Sequence, residues 1–248
     1  MRGGNGVSWR KSGEARVNMD QEAIAAAAFV LSLRERGLRD KAVLGAMERV
    51  PRELFAPRRF ADLSRRDVAL PLPLGQTMTA PFSVALMLTA LSVQPGDGVL
   101  EIGAGSGYVS ALLARLGAKV VSVERYAALA DGAAIRFGEL GIADAIEISV
   151  RDGLTMQTSE RFERILLNGA LPALPDSVTR LLAPGGRLIG ALNGETGPQL
   201  VTVDADMQGK LRETRGAALR IAPLVQSETT VPTARLRSAS PAAGAAPR

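Results

Sequence analysis

Three glycines at alternate positions, Gly103, Gly105 and Gly107, lie in the run VLEIGAGSGY from Val99 to Tyr108 and carry the clearest chemical signal in this 248-residue chain. A short apolar strand that enters a glycine loop and then a helix presents backbone N–H groups to a polar or anionic ligand. The dinucleotide fingerprint needs its third glycine three residues after the second. That position is Tyr108, so a nicotinamide cofactor is not expected. Glycines at 103, 105 and 107 instead suit a loop that wraps the amino-acid part of S-adenosyl-L-methionine. Glu124 ends the next strand, VVSVE, about 20 residues on, where an acid can accept from both ribose hydroxyls. Asp152-Gly153 follows the third strand, where the Asp can accept from an adenine amino group, or the pair can simply form a turn. Glu101, just before the loop, either takes the ligand's ammonium or orients the loop. Taken in order, each at the carboxyl end of a strand, these residues point to S-adenosylmethionine.

Composition narrows the chemistry further. There is no Cys and no His, which excludes thiolate nucleophiles, Cys-ligated metals, imidazole bases and His-rich metal sites, so no metal is expected. Any catalysis must use hydroxyls, carboxylates, amines, backbone groups or a borrowed cofactor. The net charge of +5 comes from scattered cations, some of them in the tails. With aromatics at 4%, base-stacking platforms are not expected, and no nucleic acid partner is inferred. The longest apolar run, Ile24 to Leu33, is too short to span a bilayer. With no signal-peptide pattern at the N-terminus, a cytoplasmic location away from membranes is expected.

The elements that must position these residues follow from periodicity. Residues 1–18 are Gly-rich and polar, and are expected to be disordered. A helix starts at Met19, which is also a candidate translation start. Residues 19–80 form a helical N-terminal extension and a Pro-rich segment. A helix follows Pro81. Strands are expected at Gly98–Ile102, Lys119–Val123, Ile146–Val150, Arg164–Leu167 and Gly186–Leu192. Helices between them are expected at Tyr108–Leu116, Leu129–Leu140 and Asp176–Leu182. Strands alternating with helices predict a doubly wound α/β domain over residues 81–226, its parallel sheet covered on both faces and closed by a C-terminal hairpin. Residues 227–248 read as a second disordered tail.

Several runs occur in a specific order: VPRELFAP at Val50–Pro57, GQTMTAP at Gly75–Pro81, PGDGVLEIGAGSGY at Pro95–Tyr108, VVSVER at Val120–Arg125, LLAPGGRLI at Leu181–Ile189 and IAPLV at Ile221–Val225. Together they resemble the protein-L-isoaspartate O-methyltransferases, whose fold is a Rossmann-like, class I S-adenosylmethionine-dependent methyltransferase. The resemblance implies methyl transfer to the free α-carboxylate of isoaspartyl residues in damaged proteins or peptides; a monomer is expected. It also implies that the hydroxyl of Thr79 contacts the reacting carboxylate, with Thr77 and Gln76 beside it. The alternative role for Thr77 and Thr79 is to cap the helix that begins at Pro81. A carboxylate is ionised at neutral pH and needs no general base, which fits a chain without His.

The resemblance has departures. Thr79 stands where the family usually has Ser, and Phe82 where a basic residue sometimes follows the Pro. Leu167-Asn168-Gly169-Ala170-Leu171-Pro172 replaces V-T-A-A-A-P in the substrate wall, so Asn168 changes the polar group there and Gly169 the backbone freedom. Two alternatives follow: an O-methyltransferase acting on another peptide or small molecule, and a non-catalytic binding module. A base N-methyltransferase fits less well, because Asn168-Gly169-Ala170-Leu171 lacks the Pro-Pro-aromatic continuation.

Overall fold

The computed structural model describes the backbone of residues 8–224, and side chains from residue 21 onward. Part of the expected 1–18 tail, residues 1–7, and all of the 227–248 tail lie outside the described residues. Helix α1 spans Ser8–Glu35, so it begins well before the expected start at Met19. Residues 8–18 include Arg10, Lys11, Glu14, Ala15 and Arg16, all good helix formers, and Gly13 alone does not stop propagation. Helix α2 (Lys41–Arg49) is capped by Asp40, whose Oδ1 accepts from the Ala42 and Val43 amides at 2.9 and 3.0 Å. A short α3 (Arg52–Phe55) follows. Strands β1 (Leu70–Pro71) and β2 (Thr77–Met78) form a small antiparallel pair that leads into α4 (Pro81–Leu91).

The remaining chain builds one seven-stranded sheet. Its elements are β3 (Gly98–Ile102), α5 (Tyr108–Arg115), β4 (Lys119–Glu124), α6 (Ala127–Glu139), β5 (Ile146–Val150), β6 (Phe162–Leu171), α7 (Asp176–Thr179), β7 (Leu182–Gly194), β8 (Gly197–Ala205) and β9 (Leu211–Ala218). The strand order is β5-β4-β3-β6-β7-β8-β9. The first five in that order run parallel, and β8 and β9 add antiparallel. The expected C-terminal hairpin is therefore β8–β9, continuous with the main sheet. Order reverses at β3, with β4 and β5 on one side and β6 and β7 on the other. The carboxyl ends of β3 and β6 thus flank the crevice where ligands bind in open α/β sheets.

Strand side chains alternate between two cores, as a period of 2 requires. Val99, Val120, Leu166 and Ile189 pack with Leu88, Leu112 and Phe137 from α4, α5 and α6. Leu100, Val123, Ile165, Leu167 and Leu188 pack on the opposite face with Leu154, Val178 and Leu181. That second face is covered by the single turn of α7 and by loops. Helix α7 ends at Thr179 rather than at Leu182, because Leu182 already pairs with Phe162 in the sheet. The Pro184–Gly186 turn is absorbed by a bulge inside β7, between the Phe162 and Arg164 registers.

Candidate active site

At the carboxyl end of β3 the chain passes through Gly103, Gly105 and Gly107 with φ of +92°, +54° and +86°. Side chains rarely adopt such values, so this loop needs its glycines. Gly107 has a second constraint: a Cβ there would lie 2.8 Å from Ala133 of α6 and 2.8 Å from the Phe137 ring. Gly107 thus packs α5 against α6 and lies outside the cleft wall. Glu124, 5% exposed at the end of β4, holds the loop from the neighbouring strand. Its Oε2 accepts from the Gly105 amide at 2.8 Å and its Oε1 from the Tyr126 amide at 2.9 Å.

The cleft contains about 820 Å3 of space including its mouth, a size typical of small-molecule sites. Its wall includes Gln76, Thr77, Thr79, Gly103, Gly105, Glu124, Asp152, Gly153 and Asn168. Of the expected site residues, only Glu101 and Gly107 are not part of it. The Asp152 Oδ1 accepts from the Leu154 amide at 2.9 Å, while its Oδ2 is buried with no partner. That oxygen can accept one more hydrogen bond, and an adenine amino group is a donor of the kind it would fit. A Cβ on Gly153 would meet Ile102 at 2.7 Å, so Gly153 keeps the β5 loop close against β3. The glycine cradle, the acid at Glu124 and the orphaned acceptor at Asp152 together fit S-adenosylmethionine.

Glu101 lies fully buried beneath the loop, where its Oε2 accepts from Ser110 Oγ at 2.5 Å and Ser122 Oγ at 2.8 Å. It ties β3 to α5 and β4, while its Oε1 is buried without a partner. Burial pushes its carboxyl up to about 7, against the pull of the two serine hydroxyls. The folded protein therefore holds this proton more tightly than the unfolded chain. This contribution is complete below the unfolded pKa, near 4.5, and is lost as pH rises towards about 7. Across that window stability should fall by up to about 1.4 kcal/mol per pH unit from this group. Glu101→Gln should flatten that slope in denaturant melts run from pH 5 to 8; an unchanged slope would mean that Glu101 does not hold its proton.

On the acceptor side, Thr79 is 7% exposed. Its hydroxyl donates to Asn168 Oδ1 over a long 3.4 Å, and Asn168 Nδ2 donates to the Gly103 carbonyl at 3.1 Å. Asn168, inside β6 at its register shift, therefore links the Thr79 segment to the glycine loop. Neither Thr77 nor Thr79 caps α4: Ala80 occupies the cap position without a side-chain bond, and the Phe82 amide donates to Asp67 Oδ1 at 2.8 Å. The Thr79 hydroxyl has only its long bond to Asn168, and both residues line the cleft. Where a basic residue was missing at Phe82, Arg36 lies 3.8 Å over the Phe82 ring and pairs with Asp67.

Ala222, Pro223 and Leu224 also line the cleft, although the sequence reading gave them no site role. This strap bonds to β6 through Ala170 N to Ala222 O at 2.9 Å and Leu224 N to Ala170 O at 2.8 Å. It explains Gly169, where a Cβ would lie 2.7 Å from Leu224 Cβ and 2.9 Å from its backbone N and Cα. Gly169 is absent from the positive-φ residues, so what this glycine provides is room for the strap and not the backbone freedom expected of it. Gly169→Ala should destabilise the protein by about 1–3 kcal/mol through overpacking, read as a lower melting temperature. An unchanged melting temperature would show that the strap does not lie there. Arg125 and Arg151 were also missed as wall residues; their positions beside Glu124 and Asp152 were the available signal.

Comparison with known proteins agrees with this geometry. A family model for protein-L-isoaspartate(D-aspartate) O-methyltransferase matches residues 25–229. The chain belongs to the protein-L-isoaspartate O-methyltransferase family. Protein-L-isoaspartate O-methyltransferase 2 of Rhodopseudomonas palustris (strain HaA2) is 46% identical over 187 residues, 75% of this chain and 86% of that protein. The Maricaulis maris (strain MCS10) protein-L-isoaspartate O-methyltransferase is 40% identical over 201 residues, covering 81% and 93%. The fold matches a crystal structure of a candidate protein-L-isoaspartate O-methyltransferase from Plasmodium falciparum in complex with S-adenosyl-L-homocysteine. That likeness has a TM-score of 0.70 at 21% identity, and covers 81% of this chain and 98% of that one. The protein is thus a methyltransferase with the Rossmann-like sheet of its family. Among the described residues, no helix is long and apolar enough to cross a membrane.

Proposed function

We propose that this protein-L-isoaspartate O-methyltransferase methylates the free α-carboxylate of isoaspartyl residues in damaged proteins or peptides, using S-adenosylmethionine. The single observation that carries this reading is the juxtaposition of Thr79 with the glycine loop through Asn168, which sets an acceptor-side hydroxyl beside the cofactor cradle. When bound, the cofactor supplies a methyl group on a positively charged sulfur. The chain's own part is to bind, orient and exclude water. Glu124 accepts from the ribose, Asp152 Oδ2 from the adenine amino group, and the Gly103–Gly105 backbone cradles the amino-acid end. Thr79 donates to one oxygen of the acceptor carboxylate, aided by Thr77 and Gln76 at the cleft edge. The acceptor is already an anion, so no proton has to be removed for it to attack, and orientation supplies much of the rate. The proposal includes a monomer in the cytoplasm.

The test is methyl transfer from labelled S-adenosylmethionine to matched peptides that carry isoaspartate or aspartate at one position. Base-labile label in the isoaspartyl peptide alone is expected. Label in neither peptide would overturn the reading in favour of another acceptor.

A further inference from the structure

The VPRELF segment contributes no residue to the binding roles above, yet its Arg52 is one of the largest fully buried side chains, at 2% exposure. Its guanidinium donates to three carbonyls: Ser64 at 2.8 Å, Val68 at 3.1 Å and Thr79 at 3.1 Å. Its Nε is buried without a partner. Neighbouring charges are committed elsewhere, Glu53 to Arg65 at 2.5 Å and Asp67 to Arg36. Three cations and two carboxylates therefore share this layer; Arg52 hydrogen-bonds only to carbonyl oxygens, and Asp67 acts on it through space without pairing. On its other side the guanidinium lies 5.9 Å from the centre of the Tyr108 ring. Thr79 and Tyr108 both line the cleft, so the charge stands one residue behind the wall at the acceptor end. Removing a cation from water without a carboxylate to pair with is costly. A purely structural tie between three carbonyls does not require a full charge.

We propose that Arg52 is a positioning residue whose buried charge draws the acceptor's carboxylate to the Thr79 hydroxyl. The inference rests on the functional reading above. In a medium of low effective dielectric, a fixed cation favours an anion held a few ångströms away far more than it does in water. The potential is preorganised, because the three carbonyls fix the guanidinium before any acceptor arrives. It discriminates by charge, since a neutral amide of the same shape gains little from it.

The experiment measures binding of two peptides to the full-length protein saturated with S-adenosylhomocysteine. One carries isoaspartate, and the other carries the same residue with its α-carboxyl converted to the carboxamide. The wild type should prefer the carboxylate. Arg52→Gln should cut that preference about tenfold, while Arg52→Lys, which keeps the charge, should hold it within about threefold. Equal losses for both peptides in Arg52→Gln would overturn the proposal and leave Arg52 as scaffolding. Asp67→Asn guards against a variant that does not fold: it can still accept from the Phe82 amide but deletes a carboxylate whose charge acts on Arg52, so the preference should rise. An unchanged preference in Asp67→Asn would likewise overturn the proposal. A wild type that methylates no isoaspartyl peptide would overturn the functional reading itself. A wild-type preference that no variant alters would overturn only the role of Arg52.

Discussion

Glu124→Ala is expected to weaken S-adenosylmethionine binding by about 1.5–3 kcal/mol, the worth of hydrogen bonds to a charged group, or roughly 10- to 150-fold in Kd. The carboxylate is nearly buried and already accepts from the Gly105 and Tyr126 amides. Truncation therefore removes the proposed ribose acceptor and also frees two backbone donors that shape the loop. Calorimetry on the variant measures the sum of these effects. Glu124→Gln separates them, since its amide oxygen can still accept from one amide while the charge is gone. Melting temperatures without cofactor isolate the part that belongs to the loop. An unchanged Kd in Glu124→Ala would remove Glu124 from the cofactor site.

The second large effect is expected at Thr79. Thr79→Val keeps the branched shape and deletes the hydroxyl, so kcat/KM for an isoaspartyl peptide should fall by about 10- to 100-fold. The Kd for S-adenosylmethionine should hold, because Thr79 reaches the glycine loop only through Asn168. Thr79→Ser should retain activity, as it retains the donor. Helix capping no longer competes as an explanation, since Asp67 accepts from the Phe82 amide. Equal turnover in Thr79→Val would leave the residue a packing role alone.

What was legible in the sequence was local. Strands β3 and β5 fall within the expected bounds because short apolar runs between turn residues leave little freedom. The expected cofactor residues that line the cleft share that local character: each lies at or just after the carboxyl end of a strand, where the topology brings those ends to one crevice. What the sequence hid depends on contacts between distant segments. Asp67 reaches the start of α4 from 15 residues upstream, and Arg52 bonds the Thr79 carbonyl across 27 residues. No periodicity encodes either contact. Gly169 was visible as a departure, yet its reason lies in a strap more than fifty positions later in the chain. Glu101 carried an acidic residue's usual promise of ligand contact, and only the two serines around it show that it faces inward.

The strap also orders events during synthesis. Every strand of the sheet precedes Ala222 in the chain, so a growing polypeptide has emerged with its whole sheet before the ribosome has released the residues that finish the crevice. A released chain that ended after Ala218 would keep every strand of the sheet and lack the part of the cleft wall that the strap supplies.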